Sequence, residues 1–144
     1  MLTQNERYHE PVLLSEVLEH LGVKPGGIYL DCTAGTGGHL AEIAKRAGKT
    51  GFVIGCDLDA AALQIAEDRL QRLESSDSIA PWKLVHSCYT DIESVASLLP
   101  NGLADGILLD FGCSSLQLDT PERGFSFIKE GPLDMRFNPQ SDSP

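Results

Sequence analysis

The run from Tyr29 to Leu40, Tyr-Leu-Asp-Cys-Thr-Ala-Gly-Thr-Gly-Gly-His-Leu, constrains the fold more than any other stretch of the chain. An apolar strand runs into a carboxylate, Asp31, then into a turn holding Gly35, Gly37 and Gly38, then into the start of a helix at His39 and Leu40. Glycines there let backbone approach a ligand in conformations closed to other residues. The order strand, turn, helix sets unpaired N–H groups and a helix N-terminus at the mouth of a parallel sheet, where nucleotide-like molecules bind. A second acid, Asp57, ends the apolar run Gly51-Phe52-Val53-Ile54-Gly55-Cys56 about twenty residues past the turn and closes a βαβ unit able to reach a ribose.

The rest of the chain repeats that alternation. Val12 to Leu21 has apolar residues at 13, 14, 17, 18 and 21, a helical stripe with Gly22 past its end. Pro25-Gly26-Gly27 turns into a strand over Ile28 to Cys32, and Gly38 to Arg46 reads as a helix broken by Gly48. Gly51 to Asp57 is a buried strand. Leu58 to Leu73 is the clearest helix, with Ala62, Ala66, Leu70 and Leu73 on one face and Asp59 as its N-cap. A polar loop over Glu74 to Ala80 leads to a strand over Trp82 to His86, a helix over Ile92 to Leu99 and a strand over Ala104 to Phe111. The expectation is an α/β fold: a parallel sheet covered by helices on both faces. From Gly112 to Pro144 no long periodic run follows, and a loop of that length is either functional or a severed connection. A fourth strand left as a sheet edge would expose an apolar row, so the chain reads as the N-terminal part of a longer protein. Residues 1–111 form the expected core and 112–144 a motif-bearing loop.

Composition sets limits on function. With 144 residues the chain suits one domain, small for a complete doubly wound enzyme. Its net charge of −10 argues against this stretch gripping nucleic acid by itself. Met1 to Glu10 is polar and no apolar run approaches a membrane span, so neither signal peptide nor membrane is expected. Cys32, Cys56, Cys88 and Cys113 form no Cys-x-x-Cys pair; they read as free thiols in a reducing compartment, and no metal is expected.

The turn also narrows the ligand. A dinucleotide fingerprint would place a third glycine where Leu40 stands, and no Gly-Lys-Ser/Thr follows, so a P-loop is excluded. S-adenosyl-L-methionine fits what remains, because its sulfonium and amino group suit an acidic crevice better than a pyrophosphate does. Asp57 is expected to accept two hydrogen bonds from ribose hydroxyls, a geometry that suits a carboxylate. Asp31 has two roles open, bracing the turn or meeting the ligand's amino group. His39 is expected to bind through its backbone. Tyr89 follows the third strand, where stacking near an adenine competes with ordinary packing. Asp110, closing Gly106-Ile107-Leu108-Leu109, points from the carboxyl end of a strand into the crevice where chemistry takes place.

Longer motifs add a resemblance. His9-Glu10-Pro11-Val12-Leu13-Leu14, Gly37-Gly38-His39 and Asp57-x-Asp59 resemble the ribosomal RNA small-subunit methyltransferase H family. So do Asp110-Phe111-Gly112-Cys113-Ser114-Ser115-Leu116-Gln117-Leu118-Asp119, Arg123-Gly124-Phe125-Ser126-Phe127 and Gly131-Pro132-Leu133-Asp134-Met135-Arg136. The resemblance spans nearly the whole chain. It implies a class I, Rossmann-like methyltransferase fold, here ending where a helical insertion would begin, and N4-methylation of a cytosine in the decoding region of small-subunit ribosomal RNA. It also implies that Gly37, Gly38, His39, Asp57, Tyr89, Asp110 and Gln117 bind the cofactor. The partner implied is that RNA, within a 30S-type subunit. The compartment implied is the cytoplasm, with the mitochondrial matrix as the alternative if a leader has been removed. Ala34, Leu40, Phe111, Cys113, Leu116 and Phe137 depart from the family's usual residues and touch affinity more than reaction type.

A cytosine amino group is a poor nucleophile, since its lone pair is delocalised into the ring. An acceptor for its N–H localises that pair, and Asp110 or a carbonyl of the 112–115 loop stands where one is needed. Two other classes compete. A nicotinamide-dependent oxidoreductase is disfavoured by Leu40 and by the lack of a proton-shuttling constellation. A fragment that binds cofactor without transferring a methyl group keeps the glycine turn.

Overall fold

The computed structural model describes residues 11–76 and 78–141. The His9-Glu10 start of the first motif lies outside the described residues, as does the end of the polar tail. The element order is α1 (Leu14–His20), β1 (Ile28–Asp31), α2 (Gly38–Ala47), β2 (Phe52–Asp57), α3 (Ala60–Ser76), β3 (Trp82–His86), α4 (Ile92–Ala96), β4 (Gly106–Leu108) and α5 (Ser115–Asp119). The four strands form one parallel sheet in the order β3-β2-β1-β4. The α/β reading is therefore the observed architecture.

Alternation along the strands divides the core. Tyr29 and Val53 face one side with Leu40, Ile43 and Leu70 of α2 and α3, and Leu18 of α1 closes that layer. Leu30, Cys32, Ile54 and Cys56 face the other side, under Val95 and Leu99. Glycine makes the tightest of these contacts possible: a Cβ on Gly55 would stand 2.5 Å from Leu40 Cδ2. Leu40 is thus packed over β2, which accounts for an apolar residue just past the glycine turn.

Element ends move where a local cause intervenes. α1 starts at Leu14 because Leu13 has φ 51°, a left-handed conformation that cannot continue a helix backwards. α3 starts at Ala60 and runs to Ser76, three residues past Leu73. α4 stops at Ala96, and a 3-10 turn, Pro100–Gly102, precedes β4. β4 is three residues instead of eight. Among the described residues its sole partner is β1, and the ladder stops where β1 stops, at Asp31 opposite Leu108. Asp105, ahead of β4, accepts the Ile28 N–H at 2.9 Å and pairs with Lys24 at 2.9 Å. The outer side of β4 is open, and Leu103, Ile107, Leu109 and Phe111 are exposed.

Beyond Phe111 the chain holds more structure than its lack of period suggests. α5 starts with a capping box, in which Ser114 Oγ accepts the Gln117 N–H and Gln117 Oε1 accepts the Ser114 N–H. A 3-10 turn, Pro121–Arg123, follows. Phe125 is buried edge-on against Phe137, with ring centroids 5.4 Å apart.

Candidate functional site

The carboxyl ends of the strands open into a cleft of about 1210 Å³. β1 sits inside the sheet with β2 on one side and β4 on the other, so the strand order reverses at β1; such a switch point is where open α/β sheets take ligands. Gly35, Gly38, His39, Asp57, Tyr89, Asp110 and Gln117 all line this cleft. Asp31 and Gly37 stand behind its lining.

Gly35 is left-handed at φ 50°, and a Cβ built there would meet nothing closer than 3.9 Å. Open space therefore lies where its side chain would be, while its N–H donates to Asp57 Oδ2 at 2.8 Å. Asp57 Oδ1 accepts the Asp59 N–H at 2.9 Å. Each oxygen keeps a lone pair for a further donor. Burial, the largest effect, raises the Asp57 pKa, and the Gly35 and Asp59 N–H bonds oppose it.

Gly37 and Gly38 have packing duties. At Gly37, φ is 77° and a Cβ would come within 2.9 Å of Ala66 Cβ, so α2 can start hard against α3 only without a side chain. A Cβ on Gly38 would reach 2.7 Å from Pro11 Cγ. The His39 ring bonds the Val12 carbonyl oxygen at 2.9 Å through Nε2, tying the N-terminal segment to the start of α2.

Asp31 is wholly buried, and its Oδ1 accepts both the N–H of Thr33 at 3.0 Å and the Thr33 hydroxyl at 3.4 Å. Burial, aided by the charges of Asp57 and Asp110, pushes its pKa up to about 7. This geometry favours bracing the turn over touching a ligand. Asp110 lies two residues past β4, its side chain exposed at the cleft and its backbone N–H bonded to Thr33 Oγ1 at 2.7 Å. Tyr89 opens a 3-10 turn and packs edge-on against Phe111, with centroids 5.4 Å apart.

Gln117 is buried, and its amide is engaged at both ends: Oε1 by Ser114, Nε2 by Asp59 Oδ2 at 3.1 Å. Asp59 is the residue whose importance sequence reasoning understated. Its Oδ1 caps α3 through the Ala61 and Ala62 N–H groups, as expected. Its Oδ2 also accepts from Arg123 Nη1 at 2.7 Å, an ion pair almost out of water. Asp57-x-Asp59 was the one available signal, and it gives no hint of a partner 64 residues away.

Cys32, Cys88 and Cys113 also line the cleft, and all four cysteines are free. Burial pushes the Cys56 thiol up to about 12, so it is no thiolate nucleophile at neutral pH. Among the described residues no group of three or more His, Cys, Asp or Glu is placed to hold a metal ion, and no helix is long and apolar enough to cross a membrane.

Comparison with known proteins adds relatives over nearly all of this chain. It is 47% identical over 134 residues to the ribosomal RNA small subunit methyltransferase H of Syntrophus aciditrophicus, covering 93% of this chain and 41% of the relative. It is also 47% identical over 131 residues to the protein of that name from Symbiobacterium thermophilum, covering 91% of this chain and 40% of the relative. The chain thus spans about two fifths of the length of these relatives. NSun6 from Pyrococcus horikoshii, solved with SFG, superposes with a TM-score of 0.56 at 26% identity over 81% of this chain and 28% of that one. A SAM-dependent O-methyltransferase from Thermotoga maritima shares the fold at a TM-score of 0.51 and 20% identity, over 60% of this chain and 33% of that one. The family model for the MraW methylase family matches residues 6–143, and this chain belongs to that family.

Proposed function

We propose that this chain forms the cofactor-binding part of an S-adenosyl-L-methionine-dependent methyltransferase acting on N4 of a cytosine in small-subunit ribosomal RNA. The observation that carries the reading is the meeting of Gly35, Asp57 and Asp110 in one cleft at the carboxyl ends of β1, β2 and β4. The names of the relatives support the substrate class, and the resemblance of the motifs supports cytosine N4.

The residues present fit such a cofactor. The lining pairs the half-buried backbone of Gly35 with the carboxylates Asp57 and Asp110, acceptors suited to ribose hydroxyls and to a cationic centre. When bound, the cofactor supplies an electrophilic methyl group whose carbon–sulfur bond breaks as the new carbon–nitrogen bond forms. Asp57 takes the ribose diol on its two remaining lone pairs, held in place by the Gly35 and Asp59 N–H groups. Asp110 accepts a hydrogen bond from the cytosine amino group, localising the lone pair that attacks, and receives its proton. The Thr33 hydroxyl holds the Asp110 backbone while this happens. Aligning nitrogen and methyl within attack distance can supply several kcal/mol of the barrier. A base within a helix has to turn outward to reach the site.

The RNA is held by residues beyond this acidic stretch, by a local patch or by a partner within a 30S-type subunit. The relatives named above are bacterial, which supports the cytoplasm as the compartment and lends nothing to the mitochondrial alternative.

The test has two arms. Calorimetric titration of this chain with S-adenosyl-L-methionine reports binding. Methyl transfer to small-subunit RNA by the longer protein, wild type and Asp110→Ala, reports chemistry. Binding with transfer lost in Asp110→Ala is expected. Unchanged turnover in that variant removes Asp110 from any essential role, and binding without transfer by the longer protein reduces the reading to a ligand-binding module.

A further inference from the structure

Two walls of the cleft come from distant parts of the sequence. Asp57, Leu58 and Asp59, at the β2–α3 junction, form one; Ser114, Gln117 and Phe137 belong to the other. One cluster joins them. Asp59 accepts from Gln117 Nε2 and Arg123 Nη1 on the same oxygen. The far side of the Arg123 guanidinium donates from Nη2 to the carbonyl oxygens of Arg136 at 3.1 Å and Phe137 at 2.9 Å. The Arg123 carbonyl in turn accepts the Met135 N–H at 3.1 Å. Arg123 thus holds the first wall by its charge and the second by its fork geometry, which no lysine reproduces.

The cluster also reaches the ligand side. The Asp59 N–H donates to Asp57 Oδ1, and Asp57 Oδ2 receives the Gly35 N–H. One line of hydrogen bonds runs from the glycine turn through two carboxylates to the guanidinium and on to the backbone at residues 136 and 137. Stability alone is a weak reason for such an arrangement, because a buried ion pair loses in desolvation much of what it gains in attraction. Its distinctive property is geometric.

We propose that Arg123 is a positioning residue which, through Asp59, couples occupation of the cleft to the ordering of the 113–137 wall. The ligand is S-adenosyl-L-methionine, so this inference rests on the cofactor reading above. Because coupling between two equilibria is reciprocal, a ligand seated against both walls tightens the segment, and loosening the segment weakens the ligand.

The experiment measures both directions on this chain. Calorimetry gives the affinity for S-adenosyl-L-methionine of wild type, Arg123→Met and Arg123→Lys. Tryptic cleavage after the exposed Lys129, followed by mass spectrometry with and without ligand, reports the segment. In the wild type the ligand is expected to slow that cut severalfold. Arg123→Met is expected to lose about tenfold in affinity and most of the ligand's protection, with Arg123→Lys between the two. Circular dichroism checks that each variant is folded; if Arg123→Met is not, Arg123→Lys carries the same comparison. Full affinity together with full protection in a folded variant overturns the coupling and leaves the cofactor reading standing. Binding by the wild type with no protection at Lys129 also overturns it. A folded wild type that binds no ligand is a different result: it removes the cofactor reading, and the coupling falls with it.

Discussion

The hydroxyl oxygen of Thr33 receives the backbone N–H of Asp110 at 2.7 Å, across 77 residues of sequence. The same hydroxyl turns its hydrogen toward the buried Asp31 carboxylate, with Oγ1 3.4 Å from Oδ1. The β1–β4 ladder ends one step earlier, at Asp31 opposite Leu108, with only the Cys32 N–H reaching the Leu108 carbonyl beyond it. Thr33 therefore continues by side chain what backbone pairing leaves off, and Asp110 has a fixed origin at the lip of the cleft.

Thr33→Val removes that acceptor at nearly constant volume, and Thr33→Ser keeps it. Urea denaturation is expected to show a loss of about 1 kcal/mol for valine and less than about 0.5 kcal/mol for serine. Methyl transfer by the longer protein is expected to fall with valine and to be restored by serine. Equal stability in the two variants would falsify the role given to the hydroxyl.

Stability is expected to depend on pH through Asp31. Its carboxyl titrates near 7 in the folded chain, raised mainly by burial, against about 4 when unfolded. Below about 4 both states hold the proton and the contribution is complete. As pH rises toward 7 the unfolded chain ionises first, so this contribution shrinks, and above 7 it is flat. Asp57 is shifted in the same direction, whereas Asp105 and Asp134 are shifted downward and act at the acid end. Urea midpoints at pH 5 and pH 8 should therefore differ, lower at pH 8. Asp31→Asn, shaped like the protonated acid, should reduce that difference. A variant with the full wild-type slope would place the titration elsewhere.

Gly37→Ala combines a left-handed backbone with a contact on Ala66 that is too short to relax cheaply. The expected loss is about 2 kcal/mol, seen as a lower urea midpoint with an unchanged m-value. Gly22→Ala is the control. Gly22 also has a positive φ, in the left-handed turn that ends α1 with its N–H on the Glu19 carbonyl and the Val23 N–H on the Leu18 carbonyl, but nothing lies within 4 Å of its would-be Cβ, so its loss should be the smaller by the steric share.

Asp57→Asn separates holding the turn from holding the ligand. An amide offers one acceptor oxygen where the native residue serves two N–H groups, so about 1–2 kcal/mol of stability should go. Calorimetry should also show at least about a tenfold loss of S-adenosyl-L-methionine affinity. A destabilised variant with undiminished affinity would mark Asp57 as a support for the turn alone.

The fold was legible where local pattern governs it. Trp82 to His86 was bounded correctly because an apolar run between turn residues has few other options. The short β4 was not, because strand length depends on where a partner ends, and Asp31 is 77 residues from Leu108. In the site, glycine spacing and strand-end acids were readable from chemistry alone, and Gly35, Asp57 and Asp110 do share a cleft. At Gly37 the sequence shows that room is needed but not on which side, and the structure sets Ala66 where a side chain would stand. The Ser114–Gln117 capping box was written in plain spacing, Ser-x-x-Gln, yet was too short to register as a helix. Arg123 and Asp59 were beyond reach for a different reason: pairing between distant polar groups leaves no period in the sequence.

The sheet order also imposes a calendar. β1 is made first but ends up inside, and its second neighbour, β4, leaves the ribosome more than seventy residues later. Until then one side of β1 has unpaired backbone, and the Asp110 lip does not exist. A nascent chain that has reached α4 can pair β1, β2 and β3 and bury the α2–α3 face, yet it has half a mouth. The other half comes only with the stretch that carries β4, α5 and Arg123.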